Sequence, residues 1–285
     1  TQAEVTAALV TTDTLVVAST ATVTISDANA TAITAANLSA IGAKTSGAVT
    51  VTNAIAISGT QAEVTAALVT TDTLVVAGSA TVTISDAVTI AQLTAIDAKT
   101  SGTITYTSIS DTASNLAANT GSYVTGAVNV TITDGITAAE LVTINALTSG
   151  EITLNDTNDT LTDSTADLVA AFTGTVTAYS GAITINDANA TAITAANLST
   201  IGGETSGVVT VTNAIAISGT QAEVTAALVT TDTLVVASTA TVTISDANAT
   251  AITAANLSAI GAKTSGAVTV TNAIAISGTQ AEVTA

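Results

Sequence analysis

The sequence predicts a repeat fold: a right-handed parallel β-solenoid of about ten coils, each a short strand followed by a short Thr-capped helix. Three observations carry this. Residues 1–66 recur unchanged as 220–285, and the opening TQAEVTA of Thr1 returns at Thr60, Thr220 and Thr279. Alternating runs of apolar residues and Thr begin at Val23, Val49, Val82, Ile104, Val130, Ile152, Ile183, Val209, Val242 and Val268, 22 to 33 residues apart, the size of one solenoid coil. Between these runs, Thr or Ser recurs three residues ahead of Glu, Gln, Asn or Asp, the spacing of a helix N-cap. The expected organisation is one continuous solenoid segment over 1–285, with irregular coils at 103–181. An all-β solenoid without helices is the alternative.

The strands follow from period-two alternation. In TVTISD, Val23 and Ile25 face one side and Thr22, Thr24 and Ser26 the other, and AVTVTN (48–53), TITYTS (103–108), VTIT (130–133), AITIN (182–186) and VVTVTN (208–213) repeat the pattern. The helices follow from their caps. Thr60–Glu63 reads as a capping box, as do Thr1–Glu4, Thr89–Gln92, Thr137–Glu140, Thr220–Glu223 and Thr279–Glu282. Thr34–Asn37, Thr112–Asn115, Ser164–Asp167, Thr194–Asn197 and Thr253–Asn256 are weaker versions. Leu38 with Ile41, Leu93 with Ile96 and Leu141 with Ile144 then mark a buried helical face. Gly47, Gly102, Gly150, Gly207 and Gly266 read as helix ends or tight turns into the next strand. A crossover from strand through helix to parallel strand is right-handed.

Composition excludes more than it selects. The 285 residues carry a formal net charge of −18, with Lys44, Lys99 and Lys263 the only cations, so no basic patch can engage nucleic acid or an anionic membrane. No apolar run is long enough to insert as a transmembrane helix. The chain has no Cys and no His, which removes the thiol nucleophile, the imidazole base and the usual zinc ligands. It reads as no enzyme, with no catalytic residues and no organic cofactor. Asp27, Asp86, Asp187 and Asp246, each at a strand end, read as Asx-turns or local caps. All three Tyr and the single Phe lie between 103 and 181, where Phe172 and Tyr179 serve as well for core fillers as for a site.

At the level of a coil, Leu38-x-x-Ile41 followed by Val49-x-Val51-x-Asn53 resembles the leucine-rich-repeat pattern, though most coils lack the full consensus. More broadly, ISDTASNLAAN (109–119), LTDSTADLVAAF (161–172) and AISGTQAEVTAAL (56–68) resemble the Thr/Ala-rich repeats of very long secreted bacterial surface proteins, including calcium-associated adhesins and surface-layer-like proteins. The resemblance implies an extracellular or cell-surface location and a structural or adhesive role.

Three features are candidates for binding or modification. Asp156, Asp159 and Asp163, in the stretch 155–163, offer hard oxygen ligands for calcium, against the plainer reading of a solvated acidic loop. Asn29, Asn189 and Asn248 begin Asn-Ala-Thr acceptor patterns for N-glycosylation, letters that a turn followed by a cap also contains. Outward pairs such as Thr22/Thr24, Thr50/Thr52, Thr81/Thr83, Thr241/Thr243 and Thr269/Thr271 line up as a hydroxyl ladder. Such ladders resemble the ice-binding faces of some solenoid antifreeze proteins. Two functions are therefore in view. One is a structural stalk, filament or surface-layer module that stacks on neighbouring repeats of a longer chain or assembles end to end. The other is a solenoid binding ice, glycan or calcium. The terminal coils are ordinary repeats, which leads to the expectation that the stack continues.

Overall fold

The computed structural model describes residues 1–12, 16–154, 160–177 and 179–284. It is an α/β structure of many short parallel strands in several sheets, with eleven α-helices among the described residues. The Thr-capped stretches are thus true helices, and the all-β alternative is set aside. The chain forms two compact units, residues 1–131 with 148–150, and residues 132–147 with 151–285.

In the first unit, Val23–Ile25, Val49–Val51 and Val75–Val76 form one parallel sheet. A second contains Ala32–Thr34, Ala56–Gly59, Thr81–Ile84 and Ile104–Thr105. The helices Gln2–Leu9, Ala35–Gly42, Gln61–Leu68, Ile90–Asp97 and Ala113–Ala118 alternate with these strands along the chain. In the second unit, Leu161–Asp163, Ile183–Ile185, Val209–Val211 and Val235–Val236 form one sheet, and Ala192–Thr194, Ala216–Gly219, Thr241–Ile244 and Val268–Val270 another. Ala251–Thr253 pairs with Ala275–Ser277. The helices here are Ala138–Leu147, Thr165–Ala171, Ala195–Gly203, Gln221–Leu228, Ala254–Gly261 and Gln280–Thr284.

Several repeats therefore hold two strands ahead of each helix where the sequence predicts one. The second, such as Ala56–Gly59, is too short and ends too abruptly at Ser58-Gly59 to display alternation. Strands of different sequence also replace one another. Val82 faces Ile57 on one side and Ile104 on the other, whereas Val242 in the same TVTI letters faces Ile217 and Val268. Any short strand with its apolar residues at matching register can serve as a rung, because parallel pairing reads backbone geometry and the burial pattern only.

The core lies between strands and helices. Ile25, Leu38, Ile41, Ile55 and Leu68 in the first unit, and Ile183, Leu198, Ile201 and Leu228 in the second, are fully buried. Each contributes roughly 2 kcal/mol by leaving water. Phe172 and Tyr179 are buried with ring centroids 6.4 Å apart, so they fill the core of an irregular repeat. The burial depends on a neighbouring repeat. Ile57 and Val64 are 1% and 0% exposed, while Ile276 and Val283, which occupy the same positions in the identical sequence, are 53% and 62% exposed. In Ala275–Ser277 no following strand pairs on the outer side among the described residues.

The caps form as read. Thr1, Thr60, Thr89 and Thr220 each close a capping box. Thr137 with Glu140 and Thr279 with Glu282 make the same bonds. Thr34, Thr112, Ser164, Thr194 and Thr253 accept from the third helical amide. In the box of Gln221–Leu228 the Thr220 amide donates to Glu223 Oε2 at 2.7 Å, and this bond, with a second from the Thr220 hydroxyl, holds the Glu223 carboxyl below its ordinary value. A depressed folded-state pKa stabilises above the unfolded value, about 4.3 for Glu, and the contribution is lost as pH falls through the lower folded value. The Thr220 amide resonance is therefore expected to shift in acid, at a pH below the ordinary Glu range. In Glu223→Gln it should stay flat, because Gln92 already performs the same bond to the Thr89 amide without titrating. An unchanged acid shift in that variant would refute the assignment.

Candidate functional site

The residues that recur with the most constant geometry lie where one repeat meets the next. The tripeptide Thr-Ser-Gly follows five helices, at Thr45, Thr100, Thr148, Thr205 and Thr264. Each Thr hydroxyl donates to a carbonyl of the preceding repeat, on Ala21, Ala80, Val128, Gly181 and Ala240 respectively, at 2.5–2.7 Å. The same oxygen accepts from the amide of the Gly two residues on, at 2.9–3.1 Å. Ser46, Ser101, Ser149 and Ser265 add a hydroxyl bond to a neighbouring carbonyl at 2.9–3.0 Å. The five glycines lie in the bend that leads into the next strand, and none has a positive φ, so no left-handed backbone requires them. They are there for close approach. A Cβ at Gly47, Gly102, Gly150, Gly207 or Gly266 would collide with the same carbonyl that its Thr partner bonds. That corrects the reading of these glycines as helix ends.

The strand-end aspartates receive a second correction. Their carboxylates accept from the helix of the preceding repeat rather than from the amides of a local Asx-turn. Asp27, Asp86, Asp187 and Asp246 accept from the first helical amides of Gln2, Gln61, Thr165 and Gln221 at 2.5–2.7 Å. Asp111 does the same for Ile90 at 2.9 Å. A negative charge there also complements the helix dipole. Backbone carbonyls of three of these residues then accept from the following repeat. Asn53, Asn213 and Asn272 each donate Nδ2 to Asp27, Asp187 and Asp246 at 2.7 Å. In three other helices that begin with Ala, the first residues Ala35, Ala195 and Ala254 pack a methyl against Gly59, Gly219 and Gly278 of the next repeat.

The other predicted sites fall as follows. Asp156 and Asp159 lie outside the described residues. Asp163 ends the strand Leu161–Asp163, where its carboxylate accepts from the Ser164 amide at 2.8 Å. Among the described residues no three His, Cys, Asp or Glu side chains gather to hold a metal. The hydroxyl columns are in register, and two of them, Thr34–Ser58–Thr83–Thr105 and Thr194–Ser218–Thr243–Thr269, run four residues without a break, whereas the others meet a Val. Thr24 faces Thr50, which then faces Val76. Thr162, Thr184 and Thr210 run into Val236. Thr52, Thr212 and Thr271 turn their hydroxyls to carbonyls of the preceding repeat at 3.2–3.3 Å.

An open groove of about 560 Å³ runs beside the end of Ala195–Gly203, lined by Glu204, Val208, Asp232 and Val236 among others. Burial pushes the Glu204 carboxyl up. The corresponding groove of the first unit, about 380 Å³, presents Lys44 in place of Glu204. A site whose charge inverts between copies has no constant chemistry. Among the described residues no helix is long and apolar enough to cross a membrane.

Asn29, Asn189 and Asn248 sit in exposed turns closed by the amides of Thr31, Thr191 and Thr250 on the carbonyls of Ala28, Ala188 and Ala247, each at 3.1 Å. The residue after each Asn is an alanine in the left-handed region, with φ of 61°, 62° and 65° at Ala30, Ala190 and Ala249. That conformation costs an L-residue with a Cβ about 1 kcal/mol. Ala190→Gly is expected to raise stability by about that amount, read as a higher urea midpoint for the second unit. A lower midpoint would show that the turn is not held at positive φ.

The chain matches no protein-family model, no curated protein and no solved structure.

Proposed function

We propose that this chain is a structural module of an extended bacterial cell-surface protein, whose repeats form a right-handed solenoid and whose work is mechanical, with no catalysis and no required cofactor. The observation that supports it best is the repetition of one clip, Thr hydroxyl and Gly against a single carbonyl of the preceding repeat, at five positions, two of which follow residues other than the Ala-Lys found before Thr45, Thr100 and Thr264. The polar groups with the most constant geometry bind the chain to itself. Each repeat thus adds length and stiffness without needing a ligand, and the net charge of −18 keeps such surfaces apart in solution. The partners in this reading are neighbouring repeats, either in a longer chain or in a second copy set end to end. A binding role for the Thr face is the second reading: two of its columns end at Val76 and Val236, while those through Ser58 and Ser218 keep four hydroxyl residues in line.

Electron microscopy and hydrogen exchange, with and without a calcium chelator, test the proposal. The expected result is a particle of constant narrow width and unchanged protection in both conditions. Collapse on chelation would overturn the metal-free reading and direct attention to Asp156, Asp159 and Asp163.

A further inference from the structure

We infer that Asn29, Asn189 and Asn248 are acceptors for N-linked oligosaccharide on the folded chain, and that the structure selects them over Asn37-Leu-Ser39 and Asn197-Leu-Ser199, two of the six further Asn-x-Ser/Thr sequences, the others starting at Asn129, Asn155, Asn158 and Asn256. The acceptor chemistry needs an accessible carboxamide nitrogen and a hydroxyl two residues on. In all three turns the Asn is exposed, and its Oδ1 accepts from an amide of the following repeat, on Ala54, Ala214 and Ala273, at 3.0–3.1 Å. That bond holds the carboxamide through Oδ1, and among the described residues no hydrogen bond engages Nδ2. Among the described residues no hydrogen bond engages the hydroxyls of Thr31, Thr191 and Thr250, whose backbone amides close the turn. Asn37-Leu-Ser39 and Asn197-Leu-Ser199 match the same acceptor pattern in letters but lie in the first turns of Ala35–Gly42 and Ala195–Gly203. There the Ser hydroxyls are used by the helix, donating to the carbonyls of Ala36 and Ala196 at 3.0 Å.

The donor is a polyprenyl diphosphate-linked oligosaccharide and the partner an oligosaccharyltransferase. Nδ2 attacks the anomeric carbon, the bond from that carbon to the phosphate oxygen breaks, and the polyprenyl diphosphate leaves. Nδ2 gives up one proton to a base of the transferase. No oxidant or reductant is needed.

The purified folded chain would be incubated with a single-subunit oligosaccharyltransferase that reads Asn-x-Ser/Thr and a synthetic donor of this class, followed by peptide mass spectrometry. Competence is read in vitro, so the result does not depend on where the chain resides or on its mechanical role. Occupancy at Asn29, Asn189 and Asn248 should exceed that at Asn37 and Asn197 at least ten-fold, and Thr31→Ala should abolish it at Asn29 alone. Three outcomes would overturn the inference: no transfer to the folded chain, equal transfer to the helical sites, or transfer only after denaturation.

Discussion

Gly102→Ala is expected to destabilise the repeats around it by about 3 kcal/mol, the upper end for overpacking. The added Cβ would strike the Ala80 carbonyl and lie near the Thr81 amide, all of it backbone at the entry to the strand Thr81–Ile84, so no flexible side chain can move aside. The same carbonyl accepts the Thr100 hydroxyl at 2.5 Å, and pushing it away lengthens that bond together with the Ser101 hydroxyl bond to Gly78. The control is Gly78→Ala. Nothing lies within 4 Å of a Cβ there, and the chain itself places Ser19 and Ser238 at the matching positions. That change should be neutral or slightly stabilising, by up to about 1 kcal/mol through the unfolded chain. A single unfolding midpoint suits a molecule of two units poorly. Amide exchange across Thr81–Ile84 and Ile90–Asp97 is the better readout, with protection falling roughly a hundred-fold in Gly102→Ala. Equal behaviour of the two variants would remove close approach as the reason for these glycines.

The elements that were legible in the sequence are those whose signal is local. Alternation in TVTISD and the three-residue spacing of Thr60 and Glu63 are properties of one strand and one helix turn, and both appear where they were expected. What stayed hidden depends on a partner about 20 to 28 residues away. Nothing near Asp27 reveals that its carboxylate bonds the Gln2 amide, because the helix it caps precedes it by a whole repeat. Local turn chemistry was the simpler account of the same letters. For Thr-Ser-Gly a clue did exist. The tripeptide persists while the two residues before it change from Ala43-Lys44 to Ala146-Leu147 to Gly203-Glu204, which marks a contact more demanding than a turn. The second strands were missed for a different reason. In Ala32–Thr34 and Ala56–Gly59 only one side chain, Ile33 or Ile57, is buried, and one buried residue has no period.

Asp111→Ala is expected to cost about 3 kcal/mol, because one buried carboxylate there serves three donors. It is 8% exposed and accepts from the Ile90 amide at 2.9 Å, the Thr112 amide at 2.8 Å and Asn115 Nδ2 at 2.8 Å. Truncation leaves the first amide of Ile90–Asp97 without an acceptor in a place water does not readily reach, and it frees the start of Ala113–Ala118 at the same time. Asp86→Ala removes the equivalent bond to the Gln61 amide, but Asp86 is exposed and water can replace it, so about 1 kcal/mol is expected. Asp111→Asn should fall between them, since its carbonyl oxygen can still accept while its Nδ2 meets donors rather than acceptors. Exchange rates of the Ile90 and Gln61 amides distinguish these outcomes directly. If Asp111→Ala and Asp86→Ala prove equally mild, the cross-repeat carboxylates are surface decoration, and the joint between repeats must be assigned to the Thr-Ser-Gly clip and the apolar core alone.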